Sequence, residues 1–157
     1  MKNMRLALIL VLVILLLTLS SCHLLFGQVD DSGVFYVVVE AADGSYTDYK
    51  VELSALENNK EGAKGVIEYL KENNDGFYVE MIDSTYGAYV SAIGSIKEST
   101  ADKMYVIVYT SVASDSYEGA PTVQYDGMTL YQAGMGLSGM QVSEGGVILF
   151  RLEKSPY

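Results

Sequence analysis

The sequence predicts an α+β fold in which one main helix packs on a mixed β-sheet. Short runs of β-branched and aromatic residues recur along the chain, and two Asp-Gly pairs mark tight turns between such runs. A single segment has apolar residues at helical spacing. Because no internal repeat and no second domain is apparent, we expect one domain.

The N-terminal segment has the layout of a secretory signal. Lys2 and Arg5 precede an apolar run from Leu6 to Leu19. As a helix this run would measure about 21 Å, whereas the hydrocarbon core of a bilayer is about 30 Å thick. We therefore expect residues 1–21 to be a processed signal peptide rather than a permanent transmembrane helix.

The signal ends in Leu19-Ser20-Ser21-Cys22, which resembles the bacterial lipobox. The resemblance implies a lipoprotein that is acylated at Cys22 and anchored on the extracellular face of the bacterial cell membrane. Residues 22–33 would form the tether and 34–157 the domain. The alternative is a signal-anchor in which Cys22 is an ordinary small residue. Cys22 is the only cysteine, so we expect the domain to be stable without disulfides.

The predicted mature chain is strongly acidic. The whole chain has 10 basic and 20 acidic residues, and removal of Lys2 and Arg5 leaves a net charge of −12. Such a surface repels nucleic acid and anionic lipid head groups, so we expect no nucleic-acid partner. The chain also contains 13 tyrosines and no tryptophan, a composition that suits half-exposed strands and binding surfaces alike.

The domain opens with a predicted hairpin. Val34 to Glu40 is rich in β-branched and aromatic residues, and Asp43-Gly44 supplies the positive φ angles of a tight turn. Apolar and polar residues then alternate from Asp48 to Leu53, which indicates a strand with one buried face and one solvent-exposed face.

The main helix is predicted to follow this hairpin. Ser54 and Glu57 have the spacing of a capping box, so we expect the helix to begin at or soon after Ser54. Gly62 and Gly65 weaken it by about 1 kcal/mol each relative to alanine, so packing must hold it. Its apolar residues share one face and are Ala63, Val66, Ile67 and Leu70.

Further strands are predicted in the second half of the chain. An Asp126-Gly127 turn joins two of them into a hairpin. The β-β-α-β-β order is typical of a β-grasp or ubiquitin-like mixed sheet, and a sandwich with one additional helix is the alternative. The predicted strands are Phe77–Ile82, Ala88–Ile93, Met104–Thr110, Thr122–Tyr125, Met128–Gln132 and Val147–Leu152.

Several segments together resemble a known family. Leu70-Lys71-Glu72 ends the helix, Tyr86-Gly87-Ala88-Tyr89 opens a strand, and Gly134-Met135-Gly136 precedes the last strand. In this order they are similar to the transcobalamin-like C-terminal domain family of exported bacterial modules, also catalogued as a domain of unknown function. The resemblance spans about Val34 to Tyr157. The chain departs from the family where residues 111–127 replace a short turn.

The resemblance implies a β-grasp-like domain that binds a small molecule. In the animal cobalamin carriers, the comparable domain closes over a corrinoid that a second, helical domain holds. This chain has no room for the helical domain. The resemblance therefore implies that any corrinoid would be gripped from one side only.

The residues themselves argue against catalysis. The only histidine, His23, lies in the tether, which excludes a Ser-His-Asp or Cys-His arrangement inside the domain. The same position excludes a zinc site built from cysteine and histidine. We expect no enzymatic activity, no metal and no cofactor, although a corrinoid remains a candidate ligand.

The glycine-rich segment has the G-x-G-x-x-G spacing of a dinucleotide-binding loop. That loop requires a helix at its third glycine and an acidic residue about 20 positions later. Here a strand is predicted instead, and the sequence ends at Tyr157. The glycines are expected to let the chain turn or pass close to a neighbouring strand. The functional hypothesis is a shallow binding surface formed by Tyr86, Tyr89, Tyr131, Gly134, Met135 and Gly136.

Two functions are consistent with these observations. The first is non-catalytic capture of a small molecule, a corrinoid or other nutrient, for hand-over to an uptake transporter. The alternative is a protein-interaction or adhesion module at the cell surface. A concavity lined by Tyr86, Tyr89 and Gly134 would favour the first, and a flat exposed tyrosine patch would favour the second.

Overall fold

The computed structural model describes residues 33–56 and 61–154, which form an α+β domain with mixed sheets and one α-helix. The signal and Cys22 fall outside the described residues. The strands are β1 (Val34–Glu40), β2 (Tyr46–Glu52), β3 (Val79–Ser84), β4 (Gly87–Ile93), β5 (Ile96–Lys97), β6 (Met104–Thr110), β7 (Thr122–Tyr125), β8 (Met128–Gln132) and β9 (Val147–Lys154). The helix is α1 (Gly62–Asn73).

The strands form two sheets rather than the single sheet expected from the sequence. The larger has the order β2-β1-β9-β6-β8-β7, with β1 antiparallel to β2 and parallel to β9. The smaller contains β3, β4 and β5. Alternate residues of β4, Ala88, Val90 and Ala92, are buried, so this strand packs face-on against the domain core instead of extending the larger sheet.

The main core lies between the two sheets and α1. All four apolar residues of the predicted helix face are buried in it, which confirms that prediction. Phe35 of β1 and Phe150 of β9 pack into the same cluster from the larger sheet. Tyr49 and Phe77 meet edge to face at its margin, with ring centroids 4.8 Å apart.

The helix begins later than the capping-box pattern predicts. Ser54 lies in a short 3-10 turn, Glu57 lies outside the described residues, and α1 begins at Gly62. The backbone of Gly62 has φ +57°, and a Cβ there would lie 2.5 Å from the Met140 carbonyl oxygen. The following residue, Ala63, donates its N–H to the same oxygen at 3.2 Å. A tertiary contact that only glycine allows therefore sets the start of the helix.

The β7–β8 hairpin folds over the other face of the larger sheet. Strand β8 pairs with β6 through two residue pairs, and Leu130 is then buried against Val38 and Leu149 in a second apolar cluster. Near the tip, the Tyr125 hydroxyl donates to Asp48 Oδ1 of β2 at 2.7 Å. The two opposite edges of the sheet, β2 and β7, are thereby joined.

None of the helices within the described residues has the length and apolar character needed to span a membrane.

Candidate ligand site

An open cavity of about 520 Å³ lies between the tip of the β3–β4 hairpin and the glycine-rich segment. Seven residues between positions 82 and 90 of the hairpin supply one wall, residues 133–137 supply the other, and Val108 of β6 completes the lining. The volume falls in the range of about 300 to 1,000 Å³ that small-molecule sites occupy. The cavity is therefore large enough for a small-molecule ligand.

The hairpin wall is shaped by the turn between β3 and β4. The Ser84 hydroxyl donates to the Gly87 carbonyl oxygen at 2.7 Å and accepts the Tyr86 N–H at 3.2 Å. Gly87 has φ +101°, a backbone conformation that residues with a side chain rarely adopt. The turn holds Tyr86 at the tip, where 87% of its surface is exposed.

The opposite wall, residues 133–137, is termed the glycine wall and is held by backbone contacts. The Gly136 N–H donates to the Tyr86 carbonyl oxygen at 3.0 Å. A Cβ on Gly136 would lie 2.5 Å from that oxygen and 2.7 Å from Gly87 Cα. The close approach predicted for these glycines is thus confirmed at Gly136.

The lining combines exposed apolar and aromatic side chains with no formal charge. Ile82 is 57% exposed, and Tyr89 and Met135 are each 40% exposed. No residue in the lining is Asp, Glu, Lys, Arg or His, although the chain as a whole has a net charge of −10. The cavity can therefore offer ring faces, hydroxyls and backbone groups, but no ion-pairing group.

The one charged residue between positions 82 and 90, Asp83, forms an ion pair outside the cavity lining. Asp83 lies between two lining residues on β3, and its carboxylate pairs with Lys64 of α1 at 3.2 Å. Hydrogen bonds to Glu61 and then Asp83 raise the pKa of Lys64, so this lysine stays charged. The pairing leaves the uncharged side chains of β3 and β4 to line the cavity.

Five of the six residues proposed from the sequence line this cavity. Tyr86 and Tyr89 lie in the hairpin wall, while Gly134, Met135 and Gly136 form most of the glycine wall. Tyr131 does not line it. That residue lies within β8, where it pairs with Thr110 and Thr122.

Sequence reasoning missed eight of the thirteen lining residues, among them Ile82, Ser84 and Val108. Ile82 and Ser84 flank the hairpin turn, and their side chains are placed by the β3–β4 pairing. Val108 belongs to a strand recognised as strongly apolar, and that signal alone could not distinguish a lining position from a core position.

The described residues offer no evident metal site. Within residues 33–56 and 61–154, no group of three or more His, Cys, Asp or Glu side chains could hold a metal ion.

Comparison with known proteins shows the fold but not the family. No protein-family model and no curated protein matches the chain. One match is the crystal structure of a protein from Ruminococcus gnavus that carries the provisional name of a metal binding protein. It has a TM-score of 0.53 and 12% identity, and the match covers 79% of this chain and 99% of that chain.

The crystal structure of haptocorrin in complex with Cbi, that is cobinamide, matches with a TM-score of 0.51 and 16% identity. The match covers 78% of this chain and 25% of haptocorrin, so the chain spans about a quarter of that protein's length. At these identities a likeness speaks for the fold alone. The chain has a transcobalamin-like fold.

Proposed function

We propose that this protein captures a small neutral molecule without catalysing a reaction, and that a corrinoid is the first candidate ligand. The observation that carries the proposal is the uncharged cavity between Tyr86 and the glycine wall in an otherwise strongly acidic chain. We also interpret the first hairpin, α1 and the parallel pairing of β1 with β9 as a β-grasp arrangement.

The chemistry of the lining selects for an uncharged, amphipathic ligand. Tyr86 and Tyr89 offer ring faces for an apolar surface and hydroxyls for polar substituents. Gly134 and Gly136 contribute only backbone groups to the opposite wall, because the positions that their side chains would occupy face neighbouring protein atoms. An anionic ligand would find no cation in the lining and would be repelled by the acidic chain, while a free cation would find no carboxylate there.

The haptocorrin likeness supports a corrinoid as the ligand to test first. That protein is similar in fold and was solved with cobinamide, but this chain spans only a quarter of its length. A corrinoid held in an open cavity on one domain keeps one face towards solvent. We therefore expect affinity in about the micromolar range, which corresponds to about −8 kcal/mol.

Titration of the full-length protein in mild detergent tests this function. Cobinamide and cobalamin are added while the visible spectrum and the heat of binding are recorded. We expect saturable binding that Tyr89→Ala weakens about tenfold or more, because that ring lines the cavity. Tyr46→Ala is the matched control, since Tyr46 is similarly exposed but lies on β2. A flat titration up to millimolar ligand would remove the corrinoid proposal.

The location of the protein is part of the proposal. Acylation of Cys22 would hold the domain on the extracellular face of the membrane, close to an uptake transporter that could accept the ligand. Two acyl chains suffice for stable anchoring. Labelling of expressing cells with a fatty-acid analogue should mark the wild-type protein and leave Cys22→Ser unlabelled; label on both would place the anchor elsewhere.

One observation favours the alternative, a protein-interaction or adhesion module. Tyr86 projects from the hairpin tip with 87% of its surface exposed, and neighbouring Ile82 is 57% exposed. Exposed apolar groups of this kind can contact another protein or a glycan. Photo-crosslinking from position 86 on intact cells distinguishes the two functions, because small-molecule capture predicts no discrete protein adduct other than one with an uptake transporter.

A further inference from the structure

Asp115 is a charged side chain that the proposed function has not used. It ends the 3-10 turn Ala113–Asp115 between β6 and β7, and only 1% of its surface is exposed. Among the described residues, no lysine or arginine forms an ion pair with it. Burial of a carboxylate without a cation is unfavourable unless hydrogen bonds compensate.

The hydrogen bonds of Asp115 reach both ends of segment 134–141, which includes four of the five residues of the glycine wall. Its main-chain oxygen accepts the Gly134 N–H at 2.9 Å. Its carboxylate accepts the Gln141 main-chain N–H at 2.8 Å through Oδ2 and the Gln141 side-chain amide at 3.1 Å through Oδ1. Between these two attachment points lie Met135 and Gly136 of the cavity lining.

A carboxylate suits this position better than its uncharged analogues. Both of its oxygens accept, so it can bind two N–H donors at once, whereas the amide of asparagine must turn an NH₂ group towards one of them. Desolvation raises the pKa of Asp115, and the hydrogen bonds from Gln141 act in the opposite direction. The two donors from Gln141 therefore compensate part of the cost of burial.

We propose that Asp115 is the positioning residue of the candidate site, because it fixes both ends of segment 134–141 and so forms the glycine wall before a ligand arrives. This inference rests on the proposed function for its biological meaning. A wall that is already ordered spares the ligand the entropic cost of ordering it, which raises affinity. Residues 111–121, which separate β6 from β7, then act as a brace behind the cavity.

Hydrogen exchange of the full-length protein tests the brace without any ligand. Asp115→Asn keeps the shape of the side chain and removes one acceptor. We expect amide exchange within residues 134–141 to quicken about tenfold or more, with little change in β1, β9 and α1, because one buried hydrogen bond is lost locally. Asp48→Asn is the matched control, because it weakens the carboxylate hydrogen bond from the Tyr125 hydroxyl, which joins the two edges of the larger sheet and involves no residue of segment 134–141.

Cobinamide affinity provides the second readout. Asp115→Asn should weaken binding about tenfold with Asp48→Asn unchanged, because the loosened wall must be ordered on binding. Gln141→Ala removes only the side-chain amide and should shift exchange and affinity in the same direction by less. This milder variant keeps the test decisive if Asp115→Asn does not fold.

The outcomes separate the two proposals. Unchanged exchange in 134–141, or an equal rise throughout the domain, would overturn the role of Asp115. Equal cobinamide affinity of wild type and Asp115→Asn would overturn it as well. If the wild-type protein binds no cobinamide, the corrinoid proposal fails alone, and the exchange pattern still decides whether Asp115 holds the wall.

Discussion

Gly87 and Gly136 lie in direct backbone contact at the junction of the two cavity walls. A Cβ added to Gly87 would lie 2.9 Å from Gly136 Cα, and one added to Gly136 would lie 2.7 Å from the Gly87 carbonyl carbon. Real side-chain atoms do not approach so closely, and the neighbours here are main chain, which cannot rotate aside. This contact sets the distance between the hairpin and the glycine wall.

Gly136→Ala should therefore separate the walls and destabilise the domain. Because Gly136 has φ −73° and ψ 163°, an ordinary extended conformation, the effect is steric rather than conformational. We expect a loss of about 1 to 3 kcal/mol in the free energy of unfolding, measured by urea denaturation. Gly76→Ala is the control, since its Cβ would meet only Asn74 Oδ1 at 3.4 Å. Equal stability of the two variants would show that the contact is not close.

Tyr86→Ala should separate binding from stability. The side chain is 87% exposed, so we expect the free energy of unfolding to change by less than about 0.5 kcal/mol. Cobinamide affinity should fall about tenfold, because the ring forms part of the hairpin wall. Calorimetry and urea denaturation of the same preparation measure both quantities. Unchanged affinity would exclude this ring from ligand contact.

Tyr125→Phe tests the link between the two edges of the larger sheet. The variant removes the hydroxyl that donates to Asp48 and keeps the ring, which contacts Tyr46 with centroids 5.1 Å apart. We expect Tyr125→Phe to lower the free energy of unfolding by about 1 kcal/mol. The double variant Tyr125→Phe, Asp48→Asn should lose the same amount, because both changes act on one hydrogen bond. Additive losses in this double-mutant cycle would show that the two groups do not interact.

The free energy of unfolding should rise as the pH falls from neutral towards the ordinary pKa values of Asp and Glu, about 4. Burial raises the pKa of Asp115 and also that of Glu98, which accepts the Val106 N–H. Because these pKa values are higher in the folded than in the unfolded chain, ionisation of the two groups destabilises the fold. The destabilisation is complete above the folded pKa values and disappears as the groups are protonated. Protonation also reduces the self-repulsion of an acidic chain.

Two exposed carboxyl groups act on stability in the opposite sense. Hydrogen bonds from Ser45 lower the pKa of Asp43, and hydrogen bonds from Tyr78 and Lys97 lower the pKa of Glu80. Solvent screens these surface interactions, so their effect on stability is small. Thermal unfolding across this pH range provides the measurement. Asp115→Asn and Glu98→Gln should each flatten the rise. A steady loss of stability from pH 7 downwards would contradict this prediction.

The elements that depend on neighbouring residues in the sequence are predicted well. The bounds of β1 and β6 follow from runs of β-branched and aromatic residues, and both predicted hairpins form at their Asp-Gly turns. The apolar face of α1 follows from 3.6-residue periodicity. The glycine wall was recognised because several glycines between two predicted strands indicate close backbone approach.

The remaining features depend on contacts between distant parts of the chain. The start of α1 is set by Met140, more than seventy residues after Gly62, so the local pattern at Ser54 misplaced it. Tyr131 is two residues from the lining residue Ala133, about 7 Å along a strand, and that distance takes it out of the cavity. The role of Asp115 depends on Gly134 and Gln141, which no spacing rule connects to it.

The most direct test of the ligand site is to map where cobinamide touches the protein. Amide chemical shifts of the isotope-labelled full-length protein in detergent are compared with and without saturating cobinamide. We expect changes concentrated in residues 84–90 and 133–137, with β2 and β7 unaffected. Saturable changes centred on any other surface, or no change at millimolar cobinamide, would contradict the claim that this cavity is a corrinoid site.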